Sequence, residues 1–234
     1  MTIQAPTTEA ARPDALRDFY EYEADTYSIT AETEPAFVHR RNLVRRLLPP
    51  RVEGKILDVG CGDGALADDL RERTQQDVVT VDLAWKRVAR AQKRVAGVRS
   101  AQASIYDLPF RDGSFAMVTC TDLLEHLDDP ARAMRELVRV SSDRVLVTVP
   151  WKIEIEKTLC PHCGGDYFLY GHQHSFGEEG IASLAQAAGA RVERFEHLIP
   201  MFECRRYKWL PPLKWLIWDH FKDTGTLGAS IRKS

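Results

Sequence analysis

The fold is decided by residues 55–64, which read Lys55-Ile56-Leu57-Asp58-Val59-Gly60-Cys61-Gly62-Asp63-Gly64. The apolar run at 56–59 leads into glycines, a pattern that predicts a buried β-strand entering a tight turn. Glycines let the backbone bend sharply and approach a ligand without a Cβ in the way. Residues 65–70 then predict a helix whose positive N-terminus faces the same crevice. Strand, turn and helix together predict a nucleotide-binding corner.

The glycine spacing indicates which kind of nucleotide suits this corner. A dinucleotide-binding turn has the pattern G-x-G-x-x-G, whereas the acid and glycines here form D-x-G-x-G-x-G. An acidic residue beside the turn repels a pyrophosphate and attracts an ammonium group. The stretch resembles motif I of the class I S-adenosylmethionine (SAM)-dependent methyltransferases. This resemblance implies SAM as cofactor and implies a set of residues that bind it: Asp58, Gly60, Cys61, Gly62 and Gly64.

Length and composition limit the classes of protein to consider. The chain has 234 residues, five cysteines and a formal net charge of −2 at pH 7. That length suits one α/β domain with small additions, and the charge supplies no basic field for nucleic acid. No apolar run approaches a membrane span, and residues 1–13 lack a secretory pattern. We therefore expect a cytoplasmic protein, and cysteines without a disulfide framework suit that compartment.

Predicted strands and helices alternate from Lys55 onward. The predicted strands are residues 55–59, 78–81, 99–103, 115–121, 144–149 and 191–197, and the resemblance implies a last strand at 227–233. Alternation predicts an α/β fold, a Rossmann-like seven-stranded mostly parallel sheet with helices on both faces. The resemblance implies that the last strand is antiparallel. We expect a SAM-binding methyltransferase domain at 51–234, with insertions at 152–176 and 200–224, after an N-terminal tail and helical lid at 1–50.

The predicted lid has two interpretations. Tyr20, Tyr22 and Tyr27 lie in or near its first helix, and they either pack against the main domain or cover the cofactor. Related enzymes often fold an N-terminal helix with a tyrosine across the cofactor.

Further segments continue the resemblance. Asp82 ends the second predicted strand, where a carboxylate can accept hydrogen bonds from both ribose hydroxyls, although it could also cap the next helix. Leu83 would then lie against the adenine. Ser104 stands where family members commonly have an aspartate that accepts from the adenine amino group, and a hydroxyl lacks that charge. The backbone of Ile105 could read the adenine edge, and Thr121 should border the methyl group.

Residues 114–130 resemble a segment that many small-molecule methyltransferases share, S-F-D-x-V…L-E-H-L-x-D-P. Glu125 and His126 in this segment invite an acid–base role. Because the pair recurs irrespective of substrate, we interpret these two side chains as residues that orient the loop.

Residues 160–165 read C-P-H-C-G-G, a knuckle that forms half of many zinc sites. No second C-x-x-C exists in the chain, so histidines would have to complete the set. One hypothesis is structural zinc held by Cys160, Cys163 and one or both of His172 and His174. A second makes His172 and His174 catalytic residues near the acceptor, and a third makes all of these ordinary loop residues.

Residues 201–224 are rich in aromatic side chains. Three interpretations are open: these side chains pack the insertion onto the core, they line the acceptor site, or they form a weak membrane-interface or partner surface.

The leading hypothesis is a SAM-dependent methyltransferase that acts on O or N of a small molecule such as a sugar, glycolipid or secondary metabolite. A hydroxyl acceptor needs a base, and His172 or His174 is the best candidate. The alternatives are a protein or lipid-linked substrate and a non-catalytic SAM-binding protein. A nicotinamide-dependent oxidoreductase is disfavoured by Asp58 and the glycine spacing.

Overall fold

The computed structural model describes residues 13–26, 35–95, 97–159, 164–168, 171–198 and 225–233. The helices are α1 (Pro13–Thr26), α2 (Pro35–Leu47), α3 (Ala65–Thr74), α4 (Trp85–Arg94), α5 (Pro130–Val140) and α6 (Glu178–Ala187). The strands are β1 (Ile56–Val59), β2 (Val78–Asp82), β3 (Arg99–Gln102), β4 (Phe115–Thr121), β5 (Ser141–Pro150), β6 (Lys157–Leu159), β7 (Asp166–Phe168), β8 (Ala190–Leu198) and β9 (Thr226–Lys233). A 3₁₀ turn covers Leu124–His126.

Seven strands form one sheet in the order β3-β2-β1-β4-β5-β9-β8. Strands β1 to β5 pair in parallel, and β9 runs antiparallel to both of its neighbours. This arrangement confirms the predicted fold class. The strand order reverses between β1 and β4, and in open α/β sheets ligands bind outside the carboxyl ends of strands at such a switch point.

Alternating side chains divide the buried interior between the two faces of the sheet. Leu57 of β1 belongs to a core built with α5 and α6, whereas the adjacent Ile56 belongs to a core built with α2 and α3. Every residue of β1 and β2 is buried, because helices cover both faces of a parallel sheet. The helices therefore hold the strand ends, and any side chains on them, in fixed positions.

Helix α2 crosses the sheet close to β9. At Gly228 an added Cβ would lie 2.7 Å from Leu47 Cδ1 and 2.8 Å from Leu43 Cγ. Only a residue without a side chain permits this approach, which seats α2 against the sheet.

Helix α1 docks on α4 through one carboxylate. Glu21 accepts hydrogen bonds from the backbone N–H groups of Trp85 and Lys86, and Arg90 Nη2 donates to the Ala24 carbonyl at 2.6 Å. The capping position of α4, Ala84, offers no side-chain acceptor, so Glu21 satisfies N–H groups that a helix start otherwise leaves open. Helix α1 thus lies beside the carboxyl end of β2, and Tyr22 is exposed. Whether α1 covers a cofactor stays a prediction.

Residues 152–176, which were predicted to form an insertion, include the antiparallel pair β6–β7, which the sequence pattern did not predict. Tyr27, Cys160, Cys163 and residues 199–224 lie outside the described residues, so the predictions made for them are unaffected. Within the described ranges no helix is long and apolar enough to cross a membrane.

Candidate active site

The predicted cofactor residues meet at the carboxyl ends of β1 and β2. The register pairs Asp58 with Thr80 of β2 and with Thr119 of β4, so this acid lies at the switch point. Asp82 is the last residue of β2. The topology therefore brings the two predicted carboxylates to the same edge, on either side of the glycine loop.

The backbone N–H groups of the glycine loop point into the protein. Gly60 and Cys61 donate to the Val81 carbonyl at 2.9 and 3.1 Å, and Gly64 donates to the Cys61 carbonyl at 3.0 Å. Gly62 donates to Asp82 Oδ2 at 3.0 Å. A phosphate cradle works by directing such groups at the anion. Because these four donors are already used, the loop is poorly suited to a pyrophosphate.

Asp58 is a buried carboxyl with one oxygen unused. Its Oδ1 accepts from Thr119 Oγ1 at 2.7 Å, while Oδ2 has no hydrogen-bond partner among the described residues. Burial, with a smaller contribution from the nearby Asp82 carboxylate, raises the pKa of Asp58 to about 7. An orphaned carboxylate oxygen at the start of the loop fits a cationic ligand group, as the ammonium of SAM would supply.

Asp82 ties the loop to the start of α4. Its Oδ1 accepts from the Ala84 N–H at 3.0 Å and its Oδ2 from the Gly62 N–H. Burial raises the pKa of Asp82, and the Ala84 N–H partly offsets that rise. Each carboxylate oxygen has two acceptor sites, so capacity remains for ribose hydroxyls. The two predicted roles, capping and ribose binding, are therefore compatible.

Two glycines of the loop are required by space as well as by backbone angle. Gly60 has φ +71°, and an added Cβ would lie 2.7 Å from Leu123 Cδ2. Gly64 has φ +83°, and an added Cβ would lie 2.9 Å from both Cα and Cβ of Ala91 in α4. These close contacts hold the loop between α4 and the segment that follows β4.

The predicted adenine residues lie at the ends of β2 and β3. Leu83 is partly buried, and its carbonyl accepts from Gln102 Nε2 at 2.9 Å. Ser104 Oγ accepts from the Tyr106 N–H at 3.2 Å, so one acceptor site of this hydroxyl serves the local turn. Ile105 is buried, as is Thr121 at the end of β4.

The ends of β4 and β5 carry a second polar group, centred on Asp122. This residue has φ +45°. Its Oδ1 accepts from Thr148 Oγ1 at 2.7 Å, and its Oδ2 pairs with Arg40 Nε at 3.1 Å. No role was predicted for Arg40, because nothing in the local sequence around a single arginine on the basic face of α2 indicates that its side chain reaches Asp122.

Two distant segments are fastened together beside Asp122. The Glu125 carbonyl accepts from the backbone N–H groups of Gln173 and His174 at 2.8 and 3.2 Å. Gln173 Nε2 donates to the His126 carbonyl at 2.9 Å, and His174 Nε2 donates to the Leu127 carbonyl at 2.7 Å. Residues 171–176 therefore lie directly against the 3₁₀ turn.

This fastening places His172 beside His126, with 4.9 Å between the ring centroids. Burial and the neighbouring His172 lower the pKa of His126 to about 4, and burial lowers the pKa of His172. Burial raises the pKa of Glu125 well above its usual range, and the Asp122 carboxylate raises it further. The edge at the ends of β4 and β5 thus holds two imidazoles that favour the neutral form and one buried carboxyl. We call it the acceptor edge, because the acceptor was predicted to lie there.

The two predicted histidines therefore have different surroundings. His172 joins the cluster with Glu125 and His126, whereas His174 uses Nε2 to hold the Leu127 carbonyl. The structure does not bring them to a common ligand position. Their predicted partners for zinc, Cys160 and Cys163, lie outside the described residues.

Comparisons with known proteins agree with this arrangement. Residues 57–146 match the family described as "Methyltransferase domain". A probable SAM-dependent methyltransferase of Mycobacterium tuberculosis (strain H37Rv) is 34% identical over 125 residues, covering 52% of this chain and 45% of the relative. A ubiquinone biosynthesis O-methyltransferase of Albidiferax ferrireducens is 32% identical over 144 residues, covering 55% and 54%. The chain thus spans about half the length of these curated relatives.

The fold is also similar to that of solved structures. A SAM-dependent methyltransferase from Mesorhizobium loti superimposes with a TM-score of 0.63 at 17% identity, covering 87% of this chain and 100% of that one. The sheet order, the acidic glycine loop and these matches point to one kind of domain. Residues 57–146 match the methyltransferase domain family, and the fold around them is the fold of a solved SAM-dependent methyltransferase.

Proposed function

We propose that this protein is an enzyme that transfers a methyl group from SAM to O or N of a small molecule. The observation that carries the proposal is the pair of buried carboxyls, Asp58 and Asp82, beside a glycine loop whose N–H groups are already used. Such a site favours a ligand with an ammonium group and ribose hydroxyls over one with a pyrophosphate.

When bound, SAM supplies an activated methyl group, because the sulfonium already carries positive charge. The chain mainly has to align the acceptor and exclude water, and such positioning is worth roughly 7–11 kcal/mol. Asp58 would orient the ammonium end through the glycine loop, and Asp82 would fix the ribose. Leu83, Ser104 and Ile105 would receive the adenine at the ends of β2 and β3.

A hydroxyl acceptor is favoured by the side chains at the other edge. His172 lies there with a lowered pKa, so its imidazole is neutral near pH 7 and able to accept a proton. His174 stays a second candidate, although one of its ring nitrogens holds a carbonyl. The ubiquinone biosynthesis O-methyltransferase among the relatives also supports an oxygen acceptor, over the part of the chain that matches.

Several finer predictions belong with this proposal. The aromatic residues of 201–224 would cover the acceptor, and α1 would cover the cofactor. Cys160 and Cys163 would form a zinc knuckle. Both cysteines that the structure describes, Cys61 and Cys120, are buried free thiols, which supports the cytoplasm as the compartment. A protein or lipid-linked acceptor and a SAM-binding protein without turnover remain the alternatives.

Calorimetric titration with SAM, S-adenosylhomocysteine and NAD⁺ tests the cofactor. We expect binding of the first two and none of the third, and preference for NAD⁺ would overturn the proposal. Incubation with methyl-labelled SAM and separated small-molecule, lipid and protein fractions of a cell extract then tests the acceptor. Label in the small-molecule fraction is expected. Label in protein or lipid selects that alternative, and SAM binding without transfer to any fraction selects the non-catalytic one.

A further inference from the structure

Three side chains at the acceptor edge, among them the candidate base His172, form a cluster that the proposed SAM-binding residues do not include. In Glu125, His126 and His172, one ligand atom from each lies within 4.8 Å of the other two. We propose that these three residues bind one divalent transition-metal ion. This site differs from the knuckle at Cys160 and Cys163, because it contains no sulfur and lies at the ends of β4 and β5.

Glu125 supplies the strongest argument, because its carboxyl is buried without a partner. The residue is 1% exposed, and neither Oε1 nor Oε2 has a hydrogen-bond partner among the described residues. Burying an unpaired carboxylate is costly, so buried charges in proteins are paired or coordinate metals. The charge of Arg40 acts on Glu125, but the Arg40 guanidinium pairs with Asp122. The position of Glu125 is explained if a cation lies against it.

His126 is held in the tautomer that a metal ligand needs. Its Nδ1 lies 3.2 Å from the Gly171 carbonyl oxygen. A carbonyl can only accept, so Nδ1 carries the proton and Nε2 keeps its lone pair. That Nε2 faces Glu125 Oε1 at 3.8 Å. Metal-bound histidines typically donate their second ring N–H to a carbonyl or carboxylate in this way.

The position of His172 is fixed by the loop around it. The backbone of Gln173 binds the Glu125 carbonyl, and the Gly171 carbonyl accepts from His126, so both chain neighbours of His172 are fastened to the 3₁₀ turn. Ligand atoms about 2.1 Å from one ion are at most about 4.2 Å apart. The separation of 3.8 Å already fits, and the widest separation within the cluster needs a shift of less than about 1 Å.

The donor set indicates the class of ion. Imidazole suits Zn²⁺, Fe²⁺ and neighbouring transition metals, whereas Mg²⁺ prefers oxygen ligands alone. Two imidazoles and one carboxylate also leave coordination positions open, as in catalytic metal sites. Resting on the proposed function, this inference makes the open positions the place where an acceptor hydroxyl binds and loses its proton more easily. His172 is then a ligand and not the base, and the proton passes to His174 or to solvent.

Titration with Co²⁺ tests the site directly, because the absorption spectrum of bound Co²⁺ distinguishes sulfur ligands from nitrogen and oxygen ligands. The protein is used without a histidine tag after treatment with a chelator, and SAM affinity is measured in parallel. At this site we expect one Co²⁺ per chain without a sulfur-to-cobalt charge-transfer band, in addition to any ion held by Cys160 and Cys163. Both His172→Asn and Glu125→Gln should weaken Co²⁺ binding by more than the roughly 10- to 100-fold that loss of an outer-shell partner costs.

Two controls distinguish Co²⁺ binding at this site from binding to another histidine or to the two cysteines. His197→Asn removes a histidine that bonds Glu178 at 2.7 Å and should leave Co²⁺ affinity unchanged. The double variant Cys160→Ser/Cys163→Ser should still bind one Co²⁺ with nitrogen and oxygen ligands. Unchanged affinity in His172→Asn, or loss of all binding in the double cysteine variant, would overturn the proposal. If Glu125→Gln does not fold, His172→Asn, in a partly exposed loop position, decides alone.

The two proposals fail separately. Co²⁺ binding that depends on His172 without any SAM binding would remove the methyltransferase proposal and keep the metal site. Normal SAM binding in a wild-type protein that takes up no Co²⁺ would do the reverse.

Discussion

The two halves of the site are built in different ways. On the cofactor side, Asp58, Asp82 and the glycine loop come from β1, β2 and the turn between β1 and α3. Their hydrogen bonds stay within these elements and the start of α4, except for the bond of Asp58 with Thr119 of β4. On the acceptor side, Asp122 depends on Arg40 and Thr148, which belong to distant elements. The 3₁₀ turn depends likewise on a segment 45 residues further along the chain.

This difference shows where local sequence carries the information. Motifs describe the cofactor side because its geometry follows from a strand, a turn and a helix in succession. The acceptor side follows from tertiary contacts between distant segments, so no local motif describes its geometry. Substitutions on the two sides should therefore separate cofactor affinity from acceptor chemistry.

The largest effect is expected from Gly64→Ala, which tests whether the loop is held by space. Its φ of +83° costs an L-residue about 1–2 kcal/mol. The overlap with Ala91 of α4 adds about 1–3 kcal/mol, the usual cost of overpacking. We expect the free energy of unfolding to fall by about 2–5 kcal/mol in denaturant titration.

Gly189→Ala is the matched control for this loss. Gly189 has φ +74°, and no described atom lies within 4 Å of an added Cβ, so only the backbone cost of about 1–2 kcal/mol should appear. Equal losses in both variants would show that α4 does not confine the loop.

A second test concerns the buried carboxyl of Asp58. Its pKa is about 7 in the folded protein against an ordinary value of 3.8, so the folded state binds the proton more tightly between those pH values. The free energy of unfolding should therefore fall as pH rises from about 4 to about 7. Glu125 and Asp82 contribute with the same sign, since burial raises the pKa of each.

The variant Asp58→Asn keeps an acceptor for Thr119 but cannot ionise. In denaturant titrations across this pH range, the free energy of unfolding should change less steeply with pH in the variant. The difference in slope should be at most about 1.4 kcal/mol per pH unit. SAM affinity should fall in the same variant. A slope equal to that of the wild type would contradict the buried, partly protonated state of this carboxyl.

Asp82→Ala should weaken SAM binding by about 1.5–3 kcal/mol, the scale of hydrogen bonds to a charged group. The substitution removes the ribose acceptor and also frees the Gly62 N–H. Calorimetry measures the change. Gln102→Ala, which removes only the bond to the Leu83 carbonyl at the same edge, should have a much smaller effect. Unchanged affinity in Asp82→Ala would refute the cofactor assignment.

The smallest effect is expected from Ser104→Asp, which introduces the carboxylate common in the family. One oxygen could accept from the Tyr106 N–H, as the serine hydroxyl does now, and the other would be available to the adenine amino group. SAM binding should strengthen by about 0.5–1.5 kcal/mol. Ser104→Asn supplies a neutral acceptor and should gain less. Weaker binding in Ser104→Asp would place the adenine elsewhere.

Much of the sheet was predictable because its strands are apolar runs with clear boundaries. The bounds of β4 were predicted correctly. Helix α5, which follows it, has a proline at its first turn, and Asp129 Oδ1 accepts from the Arg132 N–H at 2.9 Å. Strand β5 begins earlier than predicted, at Ser141, because pairing with Phe115 extends it through polar residues that resemble a turn.

The acceptor side was only partly predictable. Histidines were expected there, and His172 lies in the cluster. Its association with His126 and Glu125 could not be foreseen, because backbone bonds between distant segments produce it. The pair β6–β7 escaped prediction for a similar reason, since strands of three largely exposed residues lack hydrophobic alternation.

Gly228 links strand β9 to both groups that hold Asp122. It lies opposite Thr148 in the β5–β9 ladder and accommodates Leu43 and Leu47 of α2, the helix that carries Arg40. Thr148 and Arg40 are the two groups that hold Asp122. Gly228 therefore couples the packing of β9 to both supports of Asp122, so a side chain at position 228 should displace α2 and disturb this edge while the bonds of Asp58 and Asp82 stay in place.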